Sequence, residues 1–111
     1  MSAKTESDLL LEDMAQGGGP VLSTLAQMSA GALNHAGISE QTALLVRFAA
    51  LVALDAAPAS YLVNLALAEE ALIDPEAIRG TLAALAPLVG SARVVSAAGK
   101  VAEAWQLADV M

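Results

Sequence analysis

The sequence predicts an all-α fold, a compact bundle of five to six helices. Three observations carry this. Hydrophobic residues make up 57% of the chain but aromatic residues only 3%, so the apolar content is mostly Ala, Leu and Val, which suits closely packed helices. No stretch alternates apolar and polar residues with period two, as a half-buried strand would. Helix starts recur along the chain at Pro20, Ser39, Pro58, Asp74-Pro75 and Gly90-Ser91.

Residues 1–19 read as a polar N-terminal arm in which Leu9-Leu-Leu-Glu-Asp-Met14 forms a short helix. Gly17-Gly18-Gly19 breaks that helix, and Pro20 suits the first turn of a second, running to about Asn34 with Gly37 as its stop. Residues 20–111 read as a single helical domain. Ser39 is a good cap for a third helix, about Glu40 to Leu54. Its core, Leu44 to Leu54, is apolar nearly all round apart from Arg47, which predicts a central, buried helix. Asp55 to Pro58 makes the next turn, and a fourth helix runs from Pro58 to about Leu72. Asp74-Pro75-Glu76 caps and opens a fifth helix, which Pro87 is expected to end or kink. A sixth follows from Gly90-Ser91 to about Asp109, with Val94, Ala97, Ala98, Val101, Trp105 and Ala108 at helical spacing and Arg93, Ser96, Lys100 and Glu103 on the other side.

Charge and composition narrow the function classes. Net charge is −7, and the five Lys and Arg form no stripe, which argues against nucleic acid and against an anionic membrane surface. The longest charge-free stretch, Met14 to Ser39 with His35 neutral, is broken by glycines, Pro20 and several Ser, Gln and Asn, so it is no membrane span. The N-terminus lacks an apolar signal core, which predicts a cytoplasmic protein. Cysteine is absent and histidine occurs once, which removes disulfide and thiol chemistry and argues against a transition-metal site. No cofactor is expected. Mean hydropathy of +0.62 on so short a chain predicts that apolar surface is buried against other copies.

Order and spacing carry a family resemblance over roughly Ile38 to Trp105. Ile38-Ser-Glu-Gln-Thr-Ala-Leu-Leu45 opens a helix that is apolar throughout. The turn Asp55-Ala-Ala-Pro-Ala-Ser-Tyr-Leu-Val-Asn64 follows. Ile73-Asp-Pro-Glu-Ala-Ile78 then opens another helix, and a final amphipathic helix starts after Gly90-Ser-Ala-Arg93. In these features the chain resembles the carboxymuconolactone decarboxylase-like, or alkylhydroperoxidase-D-like, family. The resemblance implies a helical bundle of that type, assembled as a trimer or hexamer, with its site at the turn. Redox members carry Cys-x-x-Cys-x-x-x-His there. This chain has Ala57, Ser60 and Asn64 at those positions, and Leu44 or Leu45 near the place of the proton-relay glutamate. Decarboxylase members place a histidine where Asn64 stands. Neither known family chemistry carries over residue by residue.

The candidate pocket comprises Arg47, Asp55, Ser60, Tyr61 and Asn64. Ser60 and Asn64 lie four residues apart on one helix face, with Tyr61 beside them, and a polar notch in an apolar surface can orient a small ligand. The ordinary alternative is that Ser60 bonds to backbone and Asn64 across a helix interface. Asp55 is a general base if burial raises its pKa, or simply the cap of the fourth helix. Arg47 can grip an anion, or pair with Asp55 or Glu69. His35 suits the carbonyl end of its helix, the glycine run a hinge or an anion cradle, and Trp105 an anchor.

Two functions remain. One is a non-redox oligomer that binds or scaffolds. The other is a cofactor-free lyase or isomerase acting on a small anionic or apolar substrate, with Arg47 binding and Ser60, Tyr61 or Asn64 polarising. A dry, open pocket near Asn64 would favour the second, and a notch filled by its own neighbours the first.

Overall fold

A computed structural model describes the backbone of residues 3–110 and the side chains of residues 3–106. All its regular structure is helical: α1 Glu6–Ala15, α2 Pro20–His35, α3 Glu40–Ala53, α4 Pro58–Glu70, α5 Pro75–Val89 and α6 Ser91–Val110. The packing forms two units, the first ending at Gly37 and the second beginning at Ile38.

The first unit carries α1 and α2. Thr5 caps α1, accepting from the Asp8 N–H, while the Asp8 carboxylate accepts from the Thr5 N–H. α2 starts at Pro20 without a side-chain cap and ends where the His35 Nδ1–H donates to the Gly31 carbonyl at 2.9 Å. Neither helix buries a residue. The glycine run is less open than its composition implies. A Cβ on Gly18 would meet an Asp13 carboxylate oxygen at 2.3 Å, so the chain's own anion lies over the cradle that a foreign one would need.

The second unit is a bundle of α3 to α6. α3 packs on α4, α5 and α6, and α6 packs on α4 and α5, so α4 and α5 stand on opposite sides of the α3–α6 pair. The core is Phe48 and Val52 of α3, Tyr61 and Leu65 of α4, Ile78 of α5, and Ala97, Val101 and Ala104 of α6. α6 thus contributes small side chains and α3 and α4 the large ones. That asymmetry lets α6 lie close to its neighbours while the rings fill the volume.

α3 buries one face, through Ala43, Leu44, Phe48 and Val52, and leaves Val46 and Leu54 exposed. The all-round apolar character of its sequence therefore exceeds what the bundle within one chain uses. On α6 the buried seam runs Ala97, Val101, Ala104, with Val94 and Trp105 half-buried and Ala98 exposed. Ala108 lies outside the residues whose side chains are described. Pro87 does not end α5, which continues to Val89 and stops at Gly90, φ 88°. Only the last turn lies beyond Pro87, and the carbonyl it deprives belongs to the exposed Ala83, where water can satisfy it.

Two turns end in the same unusual way. After α3, Asp55 takes φ 52°, Ala56 N–H bonds to the Leu51 carbonyl and Asp55 N–H to that of Val52. After α4, Leu72 takes φ 60°, Ile73 N–H bonds to the Ala68 carbonyl and Leu72 N–H to that of Glu69. This paired C-terminal cap normally uses glycine at the left-handed position. Both turns are tight enough to hold it with side chains that resist it. Gln41 adds a brace, its amide donating to the Ala71 carbonyl at 3.1 Å.

Leu72 is 86% exposed, so its side chain contributes little burial. A left-handed non-glycine residue costs about 1–2 kcal/mol, and glycine returns about 0.5–1 kcal/mol of that through backbone entropy. Leu72→Gly is expected to stabilise the second unit by about 0.5–1 kcal/mol, read as a raised urea midpoint at unchanged m. A lowered midpoint would show that the turn is not strained.

Candidate functional site

The candidate residues sit where α3 gives way to α4. Leu54 closes α3, Asp55 and Ala56 form the turn, and Ala57 precedes Pro58 as the N-cap of α4. Asp55 is therefore not the cap of the fourth helix, and no side chain caps it. The reason lies in the left-handed turn, which swings the Asp55 side chain away from the α4 N-terminus and toward α6. There its carboxylate accepts from the Ser96 hydroxyl at 2.9 Å and from the Lys100 ammonium at 3.1 Å. Lys100 also donates to the Ala56 carbonyl at 2.7 Å. The turn is pinned to α6 by three hydrogen bonds, two of them from one cation.

That pin settles the chemistry open to Asp55. Hydrogen bonds from Ser96 and Lys100, and the charge of Lys100, hold its carboxyl below the usual carboxylate range. A general base near neutral pH needs the opposite shift. Its side chain is 51% exposed, and the small cost of desolvation, which pushes the other way, is outweighed by these donors.

Tyr61, one residue past Ser60, points inward. It is fully buried, and its ring meets Phe48 edge-on with centroids 5.9 Å apart. The ring fills space that a pocket at this turn would occupy. Its hydroxyl has no hydrogen-bond partner, and burial, then the charge of Asp55, pushes its pKa up. The phenol stays neutral and can only donate or accept a hydrogen bond.

Ser60 and Asn64 are half-buried on α4, and the Asn64 amide donates to the Ser60 carbonyl at 3.0 Å. The expected bond across a helix interface is replaced by one inside α4, a single turn back. Arg47 is half-buried on α3 and is not a free cation. The turn thus brings Asp55, Ser60, Tyr61 and Asn64 into one short segment but points them differently: outward to α6, along α4, and into the core.

Two apolar depressions lie elsewhere. One of about 320 Å³ sits against the C-terminal half of α4 and the start of α5, walled by Leu65, Leu72, Ile73, Ile78 and Trp105 with Glu69 as its acid. Another of about 170 Å³ lies between α5 and α6, over Leu82, Val101 and Trp105. None of the five candidate residues lines either. The larger of these two depressions lies toward the end of α4 away from the turn. Trp105, an anchor on the core, shapes both depressions.

Ser96 and Lys100 are the residues that sequence reasoning missed. They read as the solvent side of α6. Their spacing of four on an otherwise Ala- and Val-rich helix was the available signal, since it sets both on one face. Among the described residues no three of His, Asp and Glu gather as a metal site would require. His35, in the first unit, is bonded to its own helix.

Asp55, with its depressed pKa, stabilises the fold fully above its unfolded value, near 3.8, and loses that contribution as pH falls through its lower folded value. Asp8, also held low by its cap, acts in the same direction. In Asp55→Asn the fall in melting temperature between pH 5 and pH 2 is expected to be shallower than in the parent, in a set of scans spaced by about 0.5 pH unit. Equal slopes would mean that the ion pair does not survive in solution. A second pair of variants separates the notch residues. Asn64→Leu leaves the Ser60 carbonyl its helical partner, so stability should move by less than about 1 kcal/mol. Tyr61→Phe removes a buried, unpartnered hydroxyl and should stabilise by up to about 1 kcal/mol in chemical denaturation. A loss on Tyr61→Phe would reveal a partner for the hydroxyl.

No protein-family model, curated protein or solved structure matches this chain.

Proposed function

We propose that the chain is a non-redox, cysteine-less helical oligomer of the carboxymuconolactone decarboxylase-like kind, acting as a binding or scaffold protein. One observation carries this reading. The acid and the amide at the turn are engaged by their own neighbours: Asp55 by Ser96 and Lys100, and the Asn64 amide by the Ser60 carbonyl. A catalytic turn needs groups held ready for substrate, with pKa values moved toward the working pH. Here the acid is moved away from it. The absence of cysteine removes the thiolate that the redox relatives use.

Exposed apolar surface supports the oligomer. Val46 and Leu54 of α3 and Leu88 and Val95 of α5 and α6 stay exposed in the isolated chain. Singly such residues need no explanation, but a mean hydropathy of +0.62 with no transmembrane-length apolar helix among the described residues favours their burial by other copies.

A second reading, a cofactor-free lyase or isomerase, rests on the Tyr61 hydroxyl, the buried side-chain polar atom without a hydrogen-bond partner among the described residues. It would need the core to open beside Phe48 before a substrate could meet that group.

The oligomer reading is tested by light scattering at micromolar concentration together with a peroxide assay coupled to a dithiol reductant. A homo-oligomer, trimeric or hexameric, with no reductant-coupled turnover is expected. A monomer mass refutes the assembly, and steady turnover that is abolished by heat denaturation refutes the non-redox reading.

A further inference from the structure

We propose that two copies of the chain join through α2, antiparallel, along the stripe Val21, Leu25, Met28 and Ala32. The inference rests on the oligomer reading above and names one of its surfaces.

The stripe is exposed although apolar. Val21 is 57%, Leu25 50% and Met28 65% exposed, and Ala32 is exposed with them. The steps between the four residues are four, three and four, the spacing that keeps one narrow seam facing a partner helix. The half-buried side chains of α2, Leu22, Ser29 and Leu33, lie off this seam.

Charge selects the occupant. The chain carries −7, so most faces of one copy present carboxylates to another. α2 has no Asp, Glu, Lys or Arg, and it lies inside the longest charge-free stretch, Met14 to Ser39. The seam's flanks, Leu22, Thr24, Ser29 and Gly31, are uncharged too. Two copies meet here without like-charge repulsion, and no flanking charge selects a different helix.

Side-chain size selects the direction. In the antiparallel register, Val21 lies opposite Ala32 of the second copy and Leu25 opposite Met28, and the two-fold axis repeats both pairs. Large side chains meet at the centre and a medium one meets a small one at each end. A parallel pair would stack Ala32 on Ala32 and leave one end thin. The antiparallel pair also sets opposite ends of the two helix dipoles side by side.

The chain has no cysteine, so single introduced thiols report on contacts without background. Val21→Cys and Ala32→Cys chains are refolded together and oxidised with air. Disulfide-linked heterodimer is expected in the mixture and no homodimer from either chain alone, because like positions stand about 16 Å apart along the axis. Ala32→Cys that links to itself, or a mixture that does not link, overturns the antiparallel seam. Met28→Glu places a carboxylate on the seam of each copy. The seam joins two trimers into the hexamer, so this variant should halve the particle mass seen by light scattering, from hexamer to trimer, while the circular dichroism keeps its helical signal. An unchanged mass in that variant, beside an oligomeric parent, overturns the seam alone. A monomeric parent overturns the seam and the oligomer reading together.

Discussion

The second unit depends on the fit of α6 against the turn and the rings it covers. Ala97, Val101 and Ala104 present a face with little side chain, so α6 can approach α3 and α4 closely enough to bury Phe48 and Tyr61. Such an approach brings the polar side of α6 within reach of the α3–α4 turn. Ser96 and Lys100 then hold Asp55, and Lys100 holds the Ala56 carbonyl. Packing and polar pinning share one cause. A larger residue at Ala97 would push α6 outward, crowd the core and lengthen all three hydrogen bonds together.

The helices from α2 onward were legible because each carries its own start signal, whereas α1 begins at Glu6 behind the Thr5 cap, ahead of the Leu9 start read from the sequence. Ser39 accepts from the Thr42 N–H and Asp74 from the Glu76 N–H, as their positions in sequence imply. Pro20, Pro58 and Pro75 all stand in the first turn of a helix. Asp55 was harder to place. In sequence it stands just before Ala-Ala-Pro and resembles a cap. Its role depends on a left-handed backbone that nothing in its identity demands, and on two donors 41 and 45 residues away. Pro87 does not end α5 for a simpler reason: proline disrupts a helix interior, but in the last turn it deprives only a solvent-facing carbonyl.

The candidate residues were legible as neighbours in the chain and not as an arrangement. Spacing set Ser60 and Asn64 on one face, and the structure keeps them there. Spacing cannot say whether an amide looks outward for a ligand or back along its own helix. That is decided by the local alternatives, and the Ser60 carbonyl, one turn away, is the nearest acceptor. Tyr61 is the opposite case. A ring with Phe48 as its neighbour gains more from burial than a phenol loses by leaving one hydroxyl unpartnered, since a buried aromatic side chain contributes about 1.5–3 kcal/mol and an unmet hydroxyl costs about 1–3 kcal/mol. The margin is narrow, and it explains how a polar group can be drawn into a core without being assigned a task there.

The first unit raises a different physical question. α2 has 16 residues and α1 has 10, lengths at which a helix isolated in water is marginal. Neither buries a residue. α1 has a reciprocal cap to hold its start, whereas α2 has only Pro20 and no side-chain cap. What α2 does have is an uninterrupted apolar stripe, and burial of such a stripe is the usual source of helix stability in proteins. If a second copy supplies that burial, order in α2 and assembly of the chain are one equilibrium. The stability of this helix then rises with protein concentration, as it does for any element completed by association. A charge-free stripe fits that role. An element that remains partly exposed until a partner arrives has to be neutral toward a partner carrying the same −7, and composition alone makes α2 the helix of this chain best suited to be that element.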